Sequence, residues 1–172
     1  MEIIKNIIFL GGIHGVGKGT ICKEIASKTK LIHITASQIL KWEEISELDN
    51  KKVENISSTQ ERLIIGLKKL IQKNENYLLD GHFCLLNSEG IPSRVDEETF
   101  RQINPKLLTI VIDNPHEIAK RLSTRDGKIY DFETLNNFQN MEIEYAKYLS
   151  EKHSIPYVEI KNGDFNQLLK LI

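Results

Sequence analysis

The ten residues GGIHGVGKGT at positions 11–20 contain five glycines and one lysine. They follow the apolar run IIFL and lead into ICKEIA, whose apolar spacing is helical. A strand, a glycine-rich turn and a helix in that order form a cradle for phosphate. Successive backbone N–H groups at a helix N-terminus donate to phosphate oxygens, and the helix dipole adds favourable potential. Side chains would block that approach, and glycine reaches the dihedrals the cradle requires. The residues so implicated are Gly12, Gly15, Val16, Gly17, Lys18, Gly19 and Thr20, with Lys18 bringing a single ammonium to the β- and γ-phosphates of a nucleotide. The spacing G-x-x-x-x-G-K is met from Gly12 to Lys18, but Gly19 stands where a metal-ligating Ser or Thr is usual. A glycine-rich turn that binds nothing is the plain alternative.

Such a loop needs a buried strand behind it and a helix ahead of it. Four apolar runs bounded by turn residues read as strands: IIFLGG near Ile7, YLLDG at 77–81, LLTIVID at 107–113 and YVEI at 157–160, with LIHIT at 31–35 as a weaker fifth. Continuous apolar runs without alternation suit a parallel sheet covered on both faces. Helical patterns lie between them. Ile21, Cys22, Ile25 and Ala26 share one face after Lys18, opposite Lys23, Glu24 and Lys28. Ser58 and Glu61 read as a capping box ahead of a stripe formed by Leu63, Ile64, Leu67, Leu70 and Ile71. Asn114, Pro115 and Glu117 open a helix with Ile118 and Leu122 inward, and Phe138, Met141, Tyr145 and Leu149 stripe a long one. Strands alternating with helices predict a three-layer α/β fold with a five-stranded parallel sheet. The polar stretch SELDNKKVEN at 46–55 reads as a flexible connection or a mobile flap.

The 172 residues fit one domain by length, with 40% hydrophobic and 27% charged residues and a formal net charge of -1. That balance gives no electrostatic footprint for nucleic acid or a membrane surface. Cys22 and Cys84 form neither a metal spacing nor a disulfide framework, which suits a reducing compartment. The first apolar run is too short for a signal peptide and lacks a cleavage site, and no run reaches the ~18 apolar residues that span a bilayer. A soluble, cytoplasmic protein is expected, with its oligomeric state left open.

The form GIHGVGKGT resembles the loop of nucleoside monophosphate kinases, particularly adenylate kinases, in which G-x-x-G-x-G-K-G-T is common. In that family phosphate oxygens and waters hold the metal, and the resemblance implies that Thr20 contacts the nucleotide phosphates. Gly19 then marks this family and not a broken site. His14 stands where many relatives carry Pro and reads as an ordinary loop residue, with a catalytic histidine as the alternative. LIHITASQILKWEE looks like the segment that opens the monophosphate-binding part, often I-S-T-G-D-x-L-R. Thr35 matches the Ser, Gln38 replaces the Asp and Lys41 replaces the Arg. Lys41 is therefore either an acceptor-phosphate ligand or part of a solvated helix face, and a lysine is a flexible point charge where arginine offers a planar fork.

YLLDGHF resembles the second acidic motif of the family, which implies that Asp80 orients Mg²⁺-bound water; a turn or cap is its bland alternative. Many adenylate kinases read D-G-F-P-R here, and DGHFCLL lacks that Arg. His82 is similar to the D-T-H variant of archaeal-type adenylate kinases, so it either faces the acceptor or packs locally. The stretch from Leu86 to Leu122 also looks archaeal-type, and its Arg94 is either a substitute for the lost Arg or solvent-bound. KRLSTRDGKIYDFETL resembles a short lid. Arg121 and Arg125 match its transfer arginines and Asp131 its closing acid, while the lack of a cysteine set excludes a zinc-bearing lid. A charged turn between helices is the alternative.

The resemblance implies one P-loop kinase domain over residues 1–172, with an acceptor-binding insertion at about 35–74 and a lid at about 121–134. It implies an ATP-dependent phosphotransferase using Mg²⁺, with small-molecule nucleotides as substrates. An ATPase or assembly factor of the same fold, and a kinase of a nucleoside, sugar or other hydroxyl compound, are the competing readings.

Overall fold

The five apolar runs become the five strands of one parallel sheet in a computed structural model that describes residues 3, 5–45, 56–87 and 89–172. Strands β1 (Ile7–Gly11), β2 (Ile32–Thr35) and β3 (Tyr77–Asp80) are joined by β6 (Pro105–Ile112) and β7 (Tyr157–Lys161) in the order β2-β3-β1-β6-β7. The stretch 46–55 lies outside the described residues. Helices cover both faces of the sheet. Every residue of β1 is buried, which explains its unbroken apolar run. Leu10 and Thr35 both align with Asp80, so the ends of β1, β2 and β3 emerge together at the carboxyl edge. Open α/β sheets bind ligands at that edge, where neighbouring connections diverge.

Helix α1 (Lys18–Lys28) buries Ile21, Cys22 and Ile25 and packs on β2 and β3. It has no side-chain cap. Gly17 takes the N-cap place at φ 97°, a left-handed conformation that costs an L-residue about 1–2 kcal/mol. Helix α2 (Ala36–Ile45) follows β2 directly and packs on α3 (Ile56–Leu70). The capping-box expectation at Ser58 and Glu61 is corrected here. Helix α3 already includes Ile56, so Ser58 lies within it and does not begin it. The expected stripe stands: Leu63, Ile64 and Leu67 are buried, and Leu70 and Ile71 pack against the core.

Between β3 and β6 the chain forms a two-stranded antiparallel hairpin, β4 (Cys84–Leu86) with β5 (Pro92–Arg94), then the short helix α4 (Glu97–Ile103). The hairpin has too few residues for a readable period. Helix α5 (Pro115–Asp126) opens as expected: the Asn114 side chain accepts from His116 N–H, Pro115 sits in the first turn, and Ile118 and Leu122 are buried. Helix α6 (Phe132–His153) is capped by Asp131, whose carboxylate accepts from Thr134 N–H, and a final turn forms α7 (Asn166–Leu169). No described helix is long and apolar enough to cross a membrane.

An aromatic brace lies beneath the turn after β3. Phe83 is fully buried; its ring centroid is 4.9 Å from Phe9 and 5.5 Å from Phe100, which in turn meets Tyr145 at 5.9 Å. Gly11 must be glycine for this reason, because a Cβ there would sit 2.3 Å from the Phe83 ring.

Candidate active site

The glycine loop, the ends of β2 and β3 and the end of α5 enclose a cleft of about 440 Å³. Its walls include His14, Gly15, Gly17, Lys18, Gly19, Thr35, Ser37, Asp80, His82, Arg121 and Arg125. A larger hollow of about 570 Å³ opens elsewhere, around Lys5, Arg101 and Pro105, and holds none of these groups. The smaller one is the candidate site, because the charged groups converge there.

Lys18 lies at the first residue of α1, and the glycine turn aims its side chain back across the end of β3. Its Nζ donates to the Gly81 carbonyl at 2.8 Å and pairs with Asp80 Oδ1 at 2.9 Å. His82 Nε2 is 3.4 Å from the same ammonium. The Lys18–Asp80 pair is largely buried, with 11% and 13% of the two side chains exposed. Burial alone would raise the Asp80 pKa. The neighbouring His33 imidazole, 3.8 Å away, and then the Lys18 ammonium outweigh it and hold the carboxyl below its ordinary value. Asp80 is thus kept as an anion facing the cleft.

His14 and His82 face one another with ring centroids 4.7 Å apart. The His14 side chain still reaches solvent, yet the protein crowded around it, then His82, Lys18 and Arg125, hold its pKa down to about 4. A neutral imidazole at the loop's mouth adds no positive charge to compete with Lys18. Thr35 lines the cleft, but its hydroxyl accepts from Gln38 N–H at 3.1 Å, so it also starts α2.

Arg121 and Arg125 reach the same cleft from α5. Arg121 pairs with Asp113 Oδ2 at 2.5 Å, and Arg125 grips the Asp126 carboxylate at 2.7 and 3.0 Å. The Arg125 guanidinium and the Tyr130 hydroxyl hold Asp126 far below the usual carboxylate range. Both arginine side chains are about half exposed or more. Gln139 of α6 fixes the end of β6, since its amide donates to Asp113 O at 2.8 Å and its carbonyl accepts from Asp113 N–H at 3.2 Å.

The structure therefore brings together Gly15, Gly17, Lys18, Gly19, Thr35, Asp80, His82, Arg121 and Arg125. Gly12 and Val16 are buried behind the loop, and Thr20 is exposed on α1. None of these three lines the cleft, and neither does Lys41, which is exposed on α2. Arg94 stacks over Tyr145 at 4.9 Å and over Tyr148 at 6.0 Å, outside the cleft walls. Asp131 is the α6 cap described above.

Sequence reasoning missed four groups. Asp113 and Asp126 hold the arginines, and His33 sits beside Asp80. The fourth is Glu142 of α6, with none of its side chain exposed: Oε2 accepts from Phe83 N–H at 2.8 Å, and Oε1 faces His82 Nδ1 at 3.6 Å. Its charge acts on Cys84, whose thiol is pushed up to about 12 by burial first and Glu142 second. Asp113 had a signal, because it ends its strand at the same edge as Asp80. Glu142 also had one, a carboxylate at stripe spacing between Phe138 and Tyr145.

Cys22, His33 and Asp80 place ligand atoms within 4.8 Å of one another. Burial, with Asp80 beside it, pushes the Cys22 thiol up to about 12, and the Lys18 ammonium already neutralises Asp80. A cation among the three would have to displace the thiol proton and face that ammonium. Asp80 with hydrated Mg²⁺ is the better chemical match, since Mg²⁺ prefers carboxylate and water to thiolate.

A family model described as an AAA domain matches residues 11–139. The chain is 34% identical over 199 residues to an adenylate kinase of Mesomycoplasma hyopneumoniae (strain 232), with 92% of each chain covered. It is 32% identical over 138 residues to an adenylate kinase of Mycoplasma mobile, covering 72% of this chain and only 58% of that relative. A solved structure of a protein from Eubacterium ventriosum matches 96% of this chain and 94% of that chain with a TM-score of 0.50 at 16% identity, a likeness of fold alone.

Proposed function

The chain belongs to the adenylate kinase-like family of P-loop kinases, within the AAA domain group, and from that premise we propose that it moves the γ-phosphate of ATP to a nucleoside monophosphate. The observation that carries this reading is the Lys18 ammonium. It is held 2.9 Å from Asp80 at the open end of a glycine cradle, in a cleft that two arginines also reach. Phosphoryl transfer asks the protein mainly for positioning and for cations around the equatorial oxygens. The backbone amides from Gly12 to Thr20 bind the triphosphate, and Lys18 exchanges Asp80 for phosphate oxygen. Arg121 and Arg125 exchange Asp113 and Asp126 likewise.

Asp80 fits as the residue that would hold hydrated Mg²⁺, which when bound neutralises phosphate charge. Thr35 and His82 form the near wall of the acceptor side, and Lys41 of α2, which lies off the cleft wall, turns toward the acceptor phosphate when it binds. The end of α5 with residues 127–134 acts as the lid, and the segment 35–74 as the acceptor-binding insertion. Lid closure excludes the water that would otherwise receive the phosphoryl group. A monophosphate acceptor needs no protein base because its nucleophile is already anionic.

Incubation with MgATP and each nucleoside monophosphate, followed by chromatography, tests the reading. Diphosphate formed with one or a few acceptors is expected; phosphate release at one rate whatever the acceptor would reject it. That second outcome is the ATPase reading, which draws on one observation: Lys41 is not on the cleft wall in this conformation.

A further inference from the structure

Glu142 is the one fully buried carboxylate among the described residues, and the mechanism above does not use it. Burying a carboxylate is costly unless hydrogen bonds or an opposite charge compensate. Oε2 is satisfied by Phe83 N–H, but Oε1 is left without a hydrogen-bond partner, and so is the atom facing it, His82 Nδ1. The two are 3.6 Å apart, a few tenths of an ångström beyond hydrogen-bond length.

The other ring nitrogen decides what lies between them. His82 Nε2 meets the Lys18 ammonium, which has three N–H donors and no acceptor. Nε2 must therefore offer its lone pair, and a neutral ring then carries its proton on Nδ1, aimed at Glu142 Oε1. A doubly protonated ring would set two donors, and two positive charges, against each other at Lys18.

We propose that Glu142 is a positioning residue acting through His82: it takes the Nδ1–H and so holds the Nε2 lone pair toward Lys18 and the cleft. In the ligand-free protein that lone pair helps hold the ammonium. Once Lys18 moves to phosphate, Nε2 is left as a fixed hydrogen-bond acceptor at the reacting end of the cleft. This rests on the reading of His82 as a wall of a phosphotransferase site.

Glu142→Gln separates this role from simple bracing. The amide oxygen still accepts from Phe83 N–H, while the NH₂ group would face the Nδ1–H as donor against donor. In full-length protein with ¹⁵N-labelled histidine rings, His82 is assigned by its loss in His82→Gln. Long-range ¹H–¹⁵N spectra are expected to show it protonated on Nδ1. In E142Q the proton moves to Nε2, and kcat for ATP turnover falls roughly tenfold or more, with KM for ATP little changed. Glu142→Asp, which keeps the charge, restores part of that loss. A wild-type His82 protonated on Nε2 overturns the proposal, and so does a folded E142Q with unchanged kcat. Should E142Q not fold, the wild-type spectrum alone decides. The spectrum is independent of any acceptor, so failure of the kinase reading shows separately in the product assay.

Discussion

The two sides of the cleft hold their cations in opposite ways. On the sheet side, Lys18 is largely buried and held by Asp80 and the Gly81 carbonyl. On the α5 side, Arg121 and Arg125 are exposed, and each is held by one nearby acid. A buried pair is hard to break without a replacement partner, whereas exposed pairs contribute little and exchange readily. On the proposed function, the sheet side is thus pre-built to receive phosphate at a fixed point. On the same reading, the α5 side keeps its guanidinium groups parked until a more highly charged anion outcompetes the carboxylates.

Five substitutions sharpen or break that contrast. Lys18→Ala should cost the most, abolishing transfer by about 10³-fold or more while far-ultraviolet circular dichroism stays native. Retained turnover would remove the fixed anchor from the picture. Arg121→Ala and Arg125→Ala should each lower kcat by roughly 10²-fold, with the melting temperature unchanged, because their present partners contribute little. A large drop in melting temperature in either would show that the parked arginines are structural.

In the ligand-free protein, Asp80→Asn should lower stability by about 1–3 kcal/mol, since Lys18 is left in a largely buried place without its counter-ion. Asp126→Asn should leave the melting temperature where it is. Equal effects would erase the distinction between the two sides. The pH dependence has a defined sign. The folded pKa of Asp80 is depressed below its ordinary 3.8, so its contribution is present above that value and is lost as pH falls through the lower one. Acid unfolding of Asp80→Asn should lack that component.

A modest effect belongs to His14, whose pKa is lowered from 6.5 to about 4. The unfolded chain takes up a proton that the folded one refuses, so stability declines as pH drops from about 6.5 to about 4. Solvent access at His14 keeps the decline modest. Urea titrations at pH 7 and pH 5 should show a smaller difference for His14→Gln than for the wild type.

Much of this architecture could be read from residue order, and the exceptions have physical reasons. The five strands were legible because strands buried on both faces need unbroken apolar runs, and the loop because phosphate demands glycine at fixed intervals. The Ser58 box misled because a serine three residues before a glutamate also occurs inside helices, and only backbone geometry tells cap from interior. Asp113 showed its place at the sheet edge but not its partner, because its pairing with Arg121 depends on how α5 leaves β6, and Asp126 escaped because an adjacent Arg–Asp pair belongs to no motif. Glu142 lies 59 residues from Phe83, and no local pattern reports a contact over that distance. The anomaly of a carboxylate among Phe138, Tyr145 and Leu149 was visible, but its meaning required the turn after β3.

The stacked rings around Phe83 have a consequence for how the molecule fails. The Phe83 ring, next in sequence to His82, is wedged between the Gly11 backbone and the Phe9 and Phe100 rings, so the turn bearing His82 cannot loosen without opening the interior. Heat should therefore silence this protein and melt it at the same temperature, with no warmed but still folded form that has lost its chemistry first.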